Sequence, residues 1–230
     1  MLFSPNIENS ARKHALACWP EESCGVVVNN TYEPKKNIAV DPLKNFKIAD
    51  YPREGLQAVI HSHPSNHASP SKYDMQSQIQ TSVPWGIIAT SEMNAKEIEW
   101  FGDQIKDRPA LLGRDFLHGI RDCFELVRDY YRLNNNLNID QFPRDDEWWH
   151  KGDDILNPNN FTKYGFEIVS LEEVRPGDAA LMMIGASVVN HCSIILEGGL
   201  IIHHLYNRLS RREPIGPWMR YVRYIVRPRN

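Results

Sequence analysis

The sequence predicts an α+β chain of two domains: a mixed α/β domain over residues 1–106, then a helix packed on an antiparallel sheet over residues 107–230. Three observations predict it. Helix-like and strand-like segments follow one another in mixed order as far as Phe101. A polar stretch closed by proline, Gly102 to Pro109, then breaks the pattern. Beyond it, one helix with a strong apolar stripe precedes short apolar runs separated by turn residues. At 230 residues the chain is long for one small domain and comfortable for two of about 100–130 residues each.

In the first domain, Ile7 to Cys18 reads as a helix, Gly25 to Asn29 as a strand and Asp41 to Arg53 as an irregular loop. Ala58-Val59-Ile60 then runs straight into His61-Ser62-His63-Pro64, so the two histidines sit at a strand end. At i and i+2 they share one face of that strand. The Pro- and Ser-rich loop from Pro64 to Pro70 can turn the chain back, and Ser71 can cap a helix over Lys72 to Gln80 that carries Asp74. Strands over Trp85 to Thr90 and Ala95 to Phe101 complete the domain. Zinc takes nitrogen, oxygen and sulfur ligands in roughly tetrahedral geometry, and catalytic sites keep one position open. His61, His63 and Asp74 can fill such a set; the pair alone also fits two surface histidines.

Upstream, Pro20-Glu21-Glu22-Ser23-Cys24-Gly25 leads into Val26-Val27-Val28. Together with His61-Ser62-His63-Pro64 and Ser71-Lys72-Tyr73-Asp74, this set resembles the JAMM (MPN) metallopeptidase motif. That resemblance implies a JAMM-like α/β/α fold with one zinc ion on His61, His63 and Asp74. It also implies Glu22 as general acid/base toward water and Ser71 as a contact for the oxyanion at the scissile carbonyl. Glu21 reads as an exposed neighbour, with an exchange of roles between the two glutamates left open.

In the second domain, Arg121 to Tyr131 opens a helix whose Phe124, Val127 and Tyr130/Tyr131 recur at helical spacing, with Asp122 as N-cap. Cys123 therefore lies in the first turn, where the helix dipole favours a thiolate. A small buried hydrophobe is the other reading of such a cysteine. Asn190 to Leu196, a Glu197-Gly198-Gly199 turn and Leu200 to His204 read as a β-hairpin with a histidine on each strand. Nucleophilic cysteine chemistry needs a base within hydrogen-bond reach and a third group to orient it, and Cys123, His191 and His203 can fill these roles.

Asp-Cys opening a helix, Pro176-Gly177-Asp178 before a strand and the histidines at 191 and 203 resemble the NlpC-type cysteine peptidases of the papain-like fold. By that resemblance Cys123 is the nucleophile, His191 the base and His203 the orienting group, with His204 as the alternative third residue and Cys192 turned into the core. Phe124-Glu125 stands where the family commonly has Ser-Gly, and the backbone N–H groups there are expected to stay available for an oxyanion hole. The two modules in one short chain, with Pro143 to Trp149 and His203 to Ser210, are similar to the tail assembly proteins of lambda-type siphophages.

This last resemblance implies a place at the virion tail tip or in a transient tail-assembly complex, with other phage tail-tip proteins as partners. It implies bacterial peptidoglycan as substrate, cut in the periplasm between D-glutamate and diaminopimelate, and zinc-dependent peptide or isopeptide hydrolysis in the first domain. The alternative is a structural tail-tip component or assembly scaffold with vestigial activity.

A net charge of -3 and a pI near 6.3 give no reason to expect nucleic acid. No apolar run approaches the ~18–20 residues of a transmembrane segment, and Met1 to Asn9 lacks the pattern of a secretory signal, so synthesis in the host cytoplasm is expected. Four cysteines without a C-x-x-C pair suggest reduced thiols. Tyr221 to Arg227 suits an edge strand with exposed arginines, and the basic stretch Arg208 to Asn230 fits either a solvated face or docking to an acidic tail partner. Trp148-Trp149 fits core, interface or substrate stacking.

Overall fold

The structure is a computed structural model that describes residues 2–229. The chain forms two compact units that divide between Arg108 and Pro109.

In the first unit, α1 (Pro5–Cys18) begins on a proline, whose missing N–H costs nothing in a first turn. Next come β1 (Cys24–Val28), β2 (Thr31–Lys35), β3 (Leu56–His63), α2 (Lys72–Thr81), β4 (Trp85–Ser91) and β5 (Asn94–Phe101). The sheet order is β2-β1-β3-β4-β5, parallel at β3/β4 and antiparallel elsewhere. Ile7, Ala11 and Ala15 of α1 pack on Val27, Ala58, Ile60 and Ile88. Strand β2 is absent from the sequence expectation because Pro34 weakens the strand pattern; proline is tolerated there because β2 is an edge. Asn29 and Asn30 join it to β1 at φ values of 47° and 59°, the left-handed conformation of a two-residue hairpin turn.

The second unit comprises α3 (Cys123–Asn135), α4 (Pro158–Thr162), β6 (Phe166–Val169), β7 (Ala179–Met182), β8 (His191–Leu196), β9 (Leu200–His203), β10 (Arg211–Pro214) and β11 (Val222–Pro228). Its sheet is antiparallel throughout, in the order β10-β9-β8-β7-β11-β6. Phe124, Val127 and Tyr131 of α3 bury against one face, on Leu181, Cys192, Ile194 and Ile202. The other face, with Met182, Ile195 and Ile201, is covered by Trp218 and Tyr221. Trp148 belongs to the α3-side core.

The final strand corrects the expectation of an edge. β11 lies between β7 and β6, and Ile225 and Val226 are buried. The short β6 takes the edge position, and Arg227 is drawn to Asp178, with its Nε 2.8 Å from Oδ1. Asp178 also accepts from Arg175 N, and Gly177 O accepts from Tyr131 Oη at 2.9 Å. The Pro-Gly-Asp turn thus ties α3, β7 and β11 together.

Candidate active sites

In the first unit, Cys24 of β1 stands opposite His61 of β3. The pairing extends beyond the strands: Ser62 N donates to Ser23 O at 3.0 Å and Ser23 N donates to Ser62 Oγ at 2.8 Å. This sets the buried Glu22 beside His63 at the end of β3, whereas Glu21 is exposed. His61 Nε2 and His63 Nε2 are 3.0 Å apart, and Asp74 places Oδ1 3.4 Å from the first and Oδ2 3.7 Å from the second. A capping box at the start of α2 fixes Asp74. Ser71 N and Oγ donate to Asp74 Oδ2 at 2.8 and 2.7 Å, and Asp74 N donates back to Ser71 Oγ at 3.2 Å. Phe46, from the irregular loop, stacks on His61 at 4.5 Å.

Electrostatics follow from this burial. Desolvation pushes Glu22 up to about 7 despite the nearby His63. It pushes His61 down. Burial also opposes the charged form of His63, but hydrogen bonding to Asp74 prevails and raises it. Burial acts on Asp74 in the opposite sense, and there the two histidines win and hold it well below the usual carboxylate range.

The three donor groups lie within 4.8 Å of one another. Two imidazole Nε2 atoms facing each other beside an ionised carboxylate form a donor set that fits zinc. A cleft of about 300 Å³ opens over Glu22, His63, Ser71 and Asp74.

The second unit brings Cys123, His191 and His203 together. Asp122 caps α3: its Oδ1 accepts from Phe124 N and Glu125 N, both at 3.0 Å, and its Oδ2 from Gly119 N at 2.8 Å. The half-buried Cys123 is therefore the first residue of α3. Hydrogen bonding to Cys192, then hydrogen bonding and charge from His191, hold its thiol well below the ordinary value, against burial and Asp122. Cys192 moves the other way, raised by burial and by its bond to Cys123. His191 Nε2 lies 3.1 Å from His203 Nδ1, although Ser193 is the residue directly opposite His203. The two rings therefore meet on a diagonal across the hairpin. His204 is directed elsewhere, with Nε2 3.0 Å from Arg208 O and its ring against Phe116.

Residues 5–101 match the family of prokaryotic homologs of the JAB domain, Prok-JAB, and residues 108–227 match the NlpC/P60 family. Tail tip assembly protein K of Escherichia phage N15 is 31% identical over 92% of this chain and 91% of its own length. Tail tip assembly protein K of Escherichia phage lambda is 33% identical over 69% of this chain and 74% of its own. The chain belongs to the phage tail tip assembly family. Its family architecture is a JAB-like domain followed by an NlpC/P60 domain, both of mixed helix and strand. Among solved structures, the NlpC/p60 domain of the peptidoglycan hydrolase SagA matches at 17% identity and a TM-score of 0.37, over 51% of this chain and 89% of that one.

Against this family background, three contacts escape a reading of the sequence. Phe46 reaches His61 from an irregular loop, and no local pattern marks it. Cys192 is in the core as expected of a residue beside His191, yet its thiol also touches Cys123. Arg144 is buried and forms a tight ion pair with Asp122, with its guanidinium over the Phe124 ring at 5.2 Å. Its segment, Pro143 to Trp149, is a marker of the family resemblance, but only the fold assigns the arginine a partner. One expectation needs correction: the N–H groups of Phe124 and Glu125 are bound by Asp122, so the cap removes them from any oxyanion hole.

Proposed function

We propose that this tail tip assembly protein is a hydrolase with two active sites, a zinc-dependent amide hydrolase in residues 1–108 and a cysteine peptidase acting on peptidoglycan stem peptides in residues 109–230. The observation that carries the reading is the Cys123–His191–His203 contact chain at the start of α3. The Cys123 thiolate, stabilised at the helix N-terminus, attacks the amide carbon, and His191 protonates the departing amine. His203 holds the His191 ring. The amide between D-glutamate and diaminopimelate is the favoured substrate bond.

In the first unit His61, His63 and Asp74 would hold zinc. Zinc in such a set acidifies water and polarises a carbonyl. Glu22, with a pKa near neutrality, takes up and returns the proton. Ser71 orients Asp74; contact with an oxyanion requires its hydroxyl proton to turn away from that carboxylate. A peptide or isopeptide bond in a tail protein or a cell-wall cross-link is the substrate class. The protein acts in the tail-assembly complex or at the tail tip, with other tail proteins as partners, and in the periplasm as the wall is opened.

A scaffold with vestigial activity is the second reading, and the capped N–H groups of Phe124 and Glu125 favour it. Metal analysis and digestion of purified peptidoglycan decide between the two. The hydrolase reading expects about one zinc per chain and release of stem-peptide fragments. It also expects Cys123→Ala to abolish release while the metal stays bound. Protein that binds no zinc and releases nothing establishes the scaffold.

A further inference from the structure

We infer that Glu213 is a positioning residue of the cysteine site, fixing the ring of His203 from the side opposite His191. The inference rests on Cys123 and His191 acting as nucleophile and base. His203 is fully buried, and its Nε2 makes no aligned hydrogen bond, yet this nitrogen lies 3.3 Å from Glu213 Oε2. β10 pairs with β9 so that Arg211 stands opposite His203 and Glu213 opposite Ile201, which puts the carboxylate on a diagonal to the imidazole.

Glu213 is itself anchored. Trp218 Nε1 donates to Oε2 at 2.9 Å, Arg211 pairs with Oε1, and the Trp218 ring meets His203 edge-on at 4.7 Å. A carboxylate clamped by an indole and a guanidinium is pre-set rather than adaptable, as a group that orients a catalytic imidazole needs to be.

The consequence is a defined order of protons. Burial, with the positive neighbours His191, Arg211 and His204, pushes His203 down to about 3, so its ring is neutral and carries one N–H. The Glu213 carboxylate draws that proton to Nε2. Nδ1 is then an acceptor for the Nε2–H of His191, and Nδ1 is the ring nitrogen of His191 left for the thiol. The chain Glu213–His203–His191–Cys123 thus runs in one direction and places the positive charge of a protonated His191 between two anions. Around the thiol itself stand Cys192, His191, His204, Asp122 and Arg144, and of these none is hydrogen-bonded or ion-paired to Glu213.

The test uses the intact chain and needs no substrate. Alkylation of Cys123 by iodoacetamide is followed across pH on the peptide that bears it, in wild type, Glu213→Gln, Glu213→Asp and His191→Ala. Wild type is expected to react through an acid-shifted thiolate that His191→Ala abolishes. Glu213→Gln is expected to raise the midpoint of the profile by about one unit, which slows the reaction roughly tenfold on the acid side of the midpoint, without changing the alkaline plateau. Glu213→Asp should recover part of the loss. An unchanged profile in Glu213→Gln overturns the role of Glu213 while leaving the Cys–His pair intact; a wild-type thiol that titrates like a free cysteine defeats both. Nitrogen-15 spectra of wild type give a readout independent of any variant: the proton is expected on His203 Nε2, and a proton on Nδ1 overturns the assignment.

Discussion

Asp122 is held by Gly119 N, Phe124 N, Glu125 N and Arg144, and each contact prefers its ionised form. Burial alone would raise its pKa, but these partners hold it well below the ordinary value of 3.8. The folded protein thus binds this proton less readily than the unfolded chain. The stability it adds is complete above about pH 4 and is lost as pH falls through the folded value. Asp122→Asn keeps the shape and removes the charge, leaving the buried Arg144 unpaired. A loss of about 3–5 kcal/mol at neutral pH is expected, as for other broken buried pairs. Urea unfolding at about pH 7 and about pH 3 checks this; the gap between wild type and variant should narrow at the lower pH.

At the scale of elements, the β1–β2 hairpin shows how one strand depends on a residue without a side chain. Gly25 lies on β1, and a Cβ there would overlap the ring and hydroxyl of Tyr32 on β2. That hydroxyl meets His14 Nδ1 of α1 at 2.9 Å, so the ring has no slack to retreat. Gly25→Ala is expected to destabilise the first unit by about 1–3 kcal/mol through overpacking, read as a lowered unfolding midpoint. The strain also lies next to Cys24, which sets the register against His61, so metal content in the variant should fall with stability. In the second unit, β11 is interior because β6 pairs with its far side. The basic C-terminal segment is thereby partly neutralised, with Arg227 on Asp178 and Arg211 on Glu213.

At the scale of the whole molecule, each unit has its own sheet, its own core and its own candidate site. Two cooperative transitions are expected on heating, and each unit is expected to fold when produced alone, as its size allows. Chelation should lower the transition of the first unit only. Free zinc at a hundredfold excess over its dissociation constant stabilises by about 2.7 kcal/mol, so the shift is measurable by calorimetry. Equal shifts in both transitions, or none, would count against a metal confined to His61, His63 and Asp74. No helix among the described residues is long and apolar enough to cross a membrane.

The sequence by itself determined the two-unit plan, most helices and strands, and the residue types at both candidate sites, because these are local. His-x-His after an apolar run, Ser-x-x-Asp at a helix start and Asp-Cys at another are each written within a few residues and act through backbone geometry there. The tertiary structure decided what depends on contacts between distant segments. It put His203 rather than His204 against His191, because alternate residues of a strand face opposite ways and only the register of β8 with β9 says which way. It bound the N–H groups of Phe124 and Glu125 to Asp122, placed Arg144 on that carboxylate and set Glu213 behind His203. Burial, and the charged and hydrogen-bonding partners that packing sets against each group, then shifted the titration of Glu22, Asp74, Asp122 and Cys123, since both belong to the packed molecule and not to the chain.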